Sequence, residues 1–126
     1  MRLSGVTADT GFLVALERSK QRAIELAALA STRNIRITLP VAVLAEWWRG
    51  GRRHAHYLKA FNVEQMTERL AKSAGEALAA VPGSTVVDAI VMASAAQRDD
   101  VVYTSDFDDL SRLRDQHFRA VRVMGV

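Results

Sequence analysis

Four acidic residues stand where a carboxylate can do more than stay in solvent. Asp9 ends the short apolar run Val6–Ala8, and Glu46 is embedded in the apolar stretch 39–48. Asp88 falls in the first turn of a helical segment, and Asp106 lies just past the apolar run Val101–Thr104. Ionised groups are seldom placed in apolar runs unless something pairs with them. Carboxylates a few ångströms apart repel by roughly 1 kcal/mol in water and about four times that near a protein surface. Were the four to cluster, they would be costly together unless a divalent cation neutralised them. Carboxylate oxygens suit Mg2+ or Mn2+, and a chain with no cysteine has no soft-ligand alternative. The chemistry open to such a cluster is metal-assisted phosphodiester hydrolysis, in which an ion lowers the pKa of a bound water and aims it at phosphorus.

Each acid also has a local explanation, and the residues alone leave both readings open. Asp9 or Thr10 can cap a helix that starts beside it. Thr85 with Asp88 three residues on resembles a capping box, and so does Ser105 with Asp108 or Asp106 with Asp109. Glu46 has Arg49 as its i+3 neighbour on a helix face.

The elements that must position these residues follow from apolar periodicity. Val6–Ala8 reads as a buried strand. Residues 10–29 have helical spacing, with Phe12, Leu13 and Leu16 and then Ala23, Ile24, Ala27 and Ala28, and a break at 17–19 divides them into two helices. A second strand is expected at 35–39, where Pro40 opens a helix that carries Val43, Leu44, Trp47 and Trp48 and stops at Gly50-Gly51. A basic segment at 52–59 reads as a short helix and 61–65 as a third strand. Helices follow at 67–80 and 85–98, separated by Pro82-Gly83. Then come a strand at 101–104, a short helix at 107–113 and a closing strand at 121–123. Strands separated by helices imply parallel pairing through right-handed crossovers. The fold class is α/β, a three-layer α/β/α sandwich with a mostly parallel sheet. In such sheets the functional crevice lies beyond the carboxyl ends of the strands, where Asp9 and Asp106 fall.

The order of the four acids on these elements resembles the PIN-domain ribonucleases, and most closely the toxins of VapBC toxin–antitoxin pairs. The residues that carry the resemblance are Val6-Thr-Ala-Asp9-Thr10, Leu44-Ala-Glu46-Trp47, Thr85-Val-Val-Asp88-Ala89, and Tyr103-Thr-Ser-Asp106-Phe-Asp108-Asp-Leu110. They span nearly the whole chain, and the last segment is the most specific. The resemblance implies that Asp9, Glu46, Asp88 and Asp106 form an acidic catalytic pocket, with Asp108 as a fifth contributor. It implies a Mg2+- or Mn2+-dependent ribonuclease that leaves 5′-phosphate and 3′-hydroxyl ends. Asp9 and Asp106 are expected to bind metal directly, Asp88 to share the ion or orient the water, and Glu46 to hold the water shell or a second ion. Thr10, Thr104 and Ser105 support that shell. The family also implies an RNA substrate, a cognate antitoxin and a homodimer. A catalytically degenerate PIN domain that only binds RNA or protein is the alternative. Gly11 departs from the family, which more often has a small polar or β-branched residue there.

At 126 residues the chain is expected to form one domain over 1–126, with 49% apolar residues to supply its core. Without cysteine it needs no disulfide, which fits a reducing cytoplasmic compartment. Arg2 is the only charge suited to a leader, and Asp9 and Glu17 interrupt the apolar stretch that would have to follow it. No apolar run is long enough for a bilayer, so no membrane partner is expected. A formal net charge of +3 favours polyanionic partners such as RNA. Arg49, Arg52 and Arg53 follow Glu46 closely and are expected to contact RNA phosphates. Trp47 and Trp48 read as core or contact residues, and His54, His56 and His117 as surface residues without zinc-site spacing. A phospho-receiver would need adjacent acids after the first strand and a lysine after the fifth, and there is no lysine after Lys72. A haloacid-dehalogenase-type phosphatase would need Asp-x-Asp where the chain has Asp9-Thr10-Gly11.

Overall fold

The computed structural model describes residues 5–126; Arg2 lies outside them. Five strands and seven helices follow in the order β1 (Val6–Ala8), α1 (Thr10–Glu17), α2 (Gln21–Thr32), β2 (Ile37–Pro40), α3 (Val41–Trp47), α4 (Arg52–Leu58), β3 (Asn62–Glu64), α5 (Glu68–Ala80), α6 (Val86–Arg98), β4 (Val101–Thr104), α7 (Phe107–Gln116) and β5 (Arg122–Gly125). The sheet runs β3-β2-β1-β4-β5, and every pair is parallel. The expected α/β class is the one observed, with a sheet that is wholly rather than mostly parallel.

The helix starts follow their capping residues. Asp9 accepts from the Phe12 N–H at 2.8 Å, Thr67 from Leu70 at 3.0 Å, and Thr85 from Asp88 at 3.1 Å. Helix ends drift from the sequence reading because packing, not propensity, sets them. α2 runs to Thr32 and α7 to Gln116, where Leu113 is fully buried and anchors the last turn. Between α3 and α4, Gly50 and Gly51 take φ of 78° and 92°, a region that L side chains rarely enter.

Strand order sets the layers. The chain moves from β1 outward through β2 to β3, then returns to place β4 on the other side of β1, so right-handed crossovers put α1–α4 and α5–α7 on opposite faces. Packing agrees, with α1 against α2 and α3, and α6 against α5 and α7. The core lies on both sheet faces, with Phe12, Leu13, Leu39, Val43, Leu70, Met92, Leu110 and Leu113 fully buried. The Phe12 and Tyr103 rings meet at 5.4 Å, which ties α1 to β4. Among the described residues no helix is long and apolar enough to cross a membrane.

Candidate functional site

β1 and β4 are neighbours from which the chain departs in opposite directions, and their carboxyl ends frame the crevice of an open parallel sheet. Asp9 follows β1 and Asp106 follows β4. Glu46 comes from the last turn of α3 and Asp88 from the first turn of α6, and α3 touches α6 directly. All four acids line one pocket of about 230 Å3, together with Thr10, Gly11, Val87 and Ser105. Asp9 caps α1, as its local reading expects, and also lines the pocket. Asp106 occupies the N-cap position of α7 but makes no capping bond with its side chain, and no Glu46–Arg49 ion pair forms among the described residues.

Asp9 is the most constrained of the four. It is 4% exposed, one oxygen accepts from the Phe12 N–H, and the other accepts from the Thr104 hydroxyl. Burial pushes its carboxyl up from 3.8 to about 6, against those two hydrogen bonds, and the charges of Asp88 and Asp106 push the same way. Asp88 is also raised, first by burial and then by Asp106, Asp109 and Glu46, despite a hydrogen bond from Thr85. Partial burial, then Asp109 and Asp108, raise Asp106. The charges acting on all three acids are those of other carboxylates, which is a field for a cation.

Two hydroxyls organise the cluster. Thr104 donates to Asp9 and accepts from the Asp106 N–H at 2.7 Å, so one side chain sets both strand-end acids. Thr10 donates to Glu46 across α1 and α3. Ser105 lines the pocket beside Gly11.

The donor set fits a hard divalent ion. Single carboxylate oxygens of Asp88, Asp106 and Asp109 all lie within 4.8 Å of one another. Asp109, one turn into α7, is one of the three acids of the last motif, Asp106, Asp108 and Asp109, among which the sequence leaves the metal ligands open. Asp108, expected as the fifth contributor, is exposed and outside that group. A residue three beyond Asp106 on a helix shares its face better than one two beyond, and that spacing was the available signal.

Gly11, the departure noted in the sequence, also has a physical reason. A Cβ there would overlap the Ser105 hydroxyl and come within 3.2 Å of its backbone nitrogen. Alanine gains about 1 kcal/mol in helix propensity over glycine, and the Ser105 side chain can rotate away. We therefore expect Gly11→Ala to keep its melting temperature within a few degrees while losing metal affinity, measured by Mn2+ titration. Unchanged affinity would show that Ser105 has no part in shaping the pocket.

The basic segment is not uniform. Arg53 donates to the Glu17 carbonyl at 2.6 Å and Arg49 to the Trp48 carbonyl at 2.7 Å, whereas Arg52 has no partner among the described residues. Trp47 is core, 4% exposed, and donates to Glu17 at 2.5 Å. The expectation that His54 is a surface residue is corrected. Its side chain is 13% exposed, stacks on Trp47 at 4.2 Å and bonds Glu17 at 3.0 Å. Glu17 is the cause: burial alone would raise its carboxyl, but Trp47, His54 and Arg53 outweigh that and hold it below the usual range. His56 and His117 are exposed as expected.

The fold and pocket define a class, an α/β protein with an all-oxygen donor site at the switch point of a parallel sheet. The chain belongs to the PIN-domain family, matching the PIN domain over residues 6–116. PIN domains are typically nucleases. Solved structures share the fold. VapBC2 from Rickettsia felis, bound to a DNA fragment from its promoter, matches with a TM-score of 0.75 at 12% identity, covering 96% of this chain and 98% of that one. A toxin–antitoxin complex from Klebsiella pneumoniae matches at 0.67 and 16% identity, covering 97% and 100%. FitAB bound to an IR36 DNA fragment matches at 0.66 and 16%, covering 95% and 94%. At these identities the likeness is one of fold. No curated protein matches the sequence.

Proposed function

We propose that the protein is a Mg2+- or Mn2+-dependent ribonuclease and the toxin of a VapBC-type toxin–antitoxin pair. The observation that carries this reading is the pocket itself: Asp9, Glu46, Asp88 and Asp106 converge on one cavity, and burial raises the Asp9 carboxyl to about 6. Asp88, Asp106 and Asp109 would hold the ion, with Asp9 completing the negative charge. When bound, the ion supplies charge neutralisation and an acidified water. The protein's own groups do the rest. Thr104 fixes Asp9 and the backbone of Asp106, so neither acid needs to reorganise as charge builds at phosphorus. Thr10 holds Glu46 at the pocket edge, where its free oxygen can orient the attacking water and take its proton. Attack by water rather than by the ribose 2′-hydroxyl gives 5′-phosphate and 3′-hydroxyl ends.

Among the three arginines, Arg52 is the one free to meet a phosphate. Arg52→Ala should lower the salt dependence of RNA binding by about one charge, while Arg53→Ala should act on stability through the Glu17 carbonyl it releases. Equal salt slopes for both variants would overturn that division.

The partner part of the proposal rests on the structural neighbours, which are toxin–antitoxin complexes. An apolar groove of about 290 Å3, lined by Val41, Leu44, Ala45, Trp48 and Leu58, is available for an antitoxin segment that also offers a basic side chain to the acids. Homodimer formation and a cytoplasmic location belong to the same reading.

The test is cleavage of a mixed RNA pool with Mg2+ or Mn2+, comparing wild type, Asp88→Asn and an EDTA control. The expected result is metal-dependent cutting that leaves 5′-phosphates and falls at least about 100-fold in the variant. Cyclic-phosphate ends, or cutting that survives EDTA, would sink the mechanism. A folded protein that binds neither metal nor RNA would favour a binding role toward protein.

A further inference from the structure

At the end of the sheet where the strands begin, opposite the acid pocket, a cleft of about 510 Å3 opens between the α2–β2 turn and the last turn of α6. It lies ahead of β1 at Gly5, ahead of β2 at residues 33–36, and ahead of β4 at Asp100, and it shares no residue with the acid pocket.

Its charges are three arginines to one carboxylate. Arg98 is held fast: its Nε donates to Asp100 at 2.9 Å, its Nη2 donates to Thr7 and Ser94 at 2.8 and 2.9 Å, and its Nη1 pairs with Glu64. Arg98 is thus shared between two carboxylates, Asp100 and Glu64, and is spent within the fold. Arg33 and Arg36 are exposed and have no hydrogen-bond or ion-pair partner among the described residues. They leave two positive charges at the mouth of a concave site.

The floor supplies a second and independent observation. Thr38, in the middle of β2, is 1% exposed and lines the cleft. Its hydroxyl has no hydrogen-bond partner among the described residues. Thr7, its neighbour across the parallel ladder, is by contrast bonded to both Asp100 and Arg98. The Thr38 hydroxyl reaches the cleft with its proton free, so a ligand oxygen there can accept from it.

We propose that this cleft binds a phosphate monoester. Arg33 and Arg36 would take the phosphate oxygens, and the Thr38 hydroxyl would donate from the floor. A dianion matches the two unpaired arginines, whose planar forks suit phosphate oxygens. The volume is that of a site for a small phosphorylated molecule, in the usual range of roughly 300–1,000 Å3. The site stands apart from the nuclease reading and does not depend on it.

The experiment is a 31P NMR and equilibrium-dialysis titration of the full chain in EDTA, with inorganic phosphate and a nucleoside 5′-monophosphate as probes. EDTA prevents metal from carrying phosphate into the acid pocket. We expect saturable binding, weakened at least about 10-fold by the double variant Arg33→Ala/Arg36→Ala and several-fold by Thr38→Val, but unchanged in Arg69→Ala/Arg119→Ala, whose side chains are exposed outside the cleft. Tighter binding of the nucleotide would identify it as the source of the phosphate, and equal affinities would identify the free ion. No saturable binding would overturn the proposal, as would equal loss in the two arginine pairs. Arg33 and Arg36 are exposed, so their double variant decides the matter even where Thr38→Val fails to fold.

Discussion

Asp9→Asn is expected to make the metal-free protein more stable at pH 7 while abolishing the proposed cleavage of RNA. The Asp9 carboxyl is raised from 3.8 to about 6 in the folded chain. A raised acid contributes stability that is fully present below its unfolded pKa, near 3.8, and is lost as pH rises through 6. At pH 7 the ionised form therefore works against folding by about 3 kcal/mol. Asparagine removes that charge but keeps an oxygen for the Phe12 N–H, and the Thr104 hydroxyl can accept from its amide. In EDTA at pH 7 the variant should melt roughly 10 °C above wild type, and the advantage should vanish near pH 4. A variant less stable than wild type at pH 7, or a gain that persists unchanged at pH 4, would refute this account of Asp9. Wild-type Mn2+ affinity should follow the same proton, rising as pH passes through about 6 and levelling above it. RNA cleavage by the variant should fall at least about 100-fold. Stability held back at a charged pocket is the usual signature of a site kept for function.

The second large effect separates two neighbouring acids that the sequence presents as equivalents. Asp109 shares with Asp88 and Asp106 a set of oxygens within 4.8 Å, whereas Asp108 acts on Asp106 through its charge alone. Asp109→Asn should weaken Mn2+ binding by more than about 10-fold. Asp108→Asn should change it by no more than about two-fold, the size of a solvent-screened charge. Isothermal titration of the two variants beside wild type checks this, and a larger loss from Asp108→Asn would reverse the assignment. Both residues are exposed, so neither substitution threatens the core.

Much of this architecture is legible in the residues. The spacing of Phe12, Leu13 and Leu16, the Thr85 cap, and the strand at Val101–Thr104 are local signals, and the structure follows each of them. Local signals work there because hydrogen-bonded caps and apolar periodicity act within a few residues. The positions of Asp9 and Asp106 at strand ends are legible for the same reason, since a parallel sheet puts its crevice at those ends.

Other features depend on groups far apart in the chain. Glu46 belongs to the pocket because α3 touches α6 and because Thr10, 36 residues earlier, donates to it. His54 is drawn inward by Glu17 and Trp47, and no local property of a basic segment announces that. The choice of Asp109 over Asp108 depends on how α7 is rotated about its axis, and the buried Leu110 and Leu113 fix that rotation. The sequence by itself determined which residues could form helices, strands and caps, and which acids were candidates for chemistry. Tertiary structure alone decided which side chains share a cavity, which arginines are already spent on carbonyls, and how far burial raises Asp9, because electrostatic and packing energies depend on distances that only the folded chain defines.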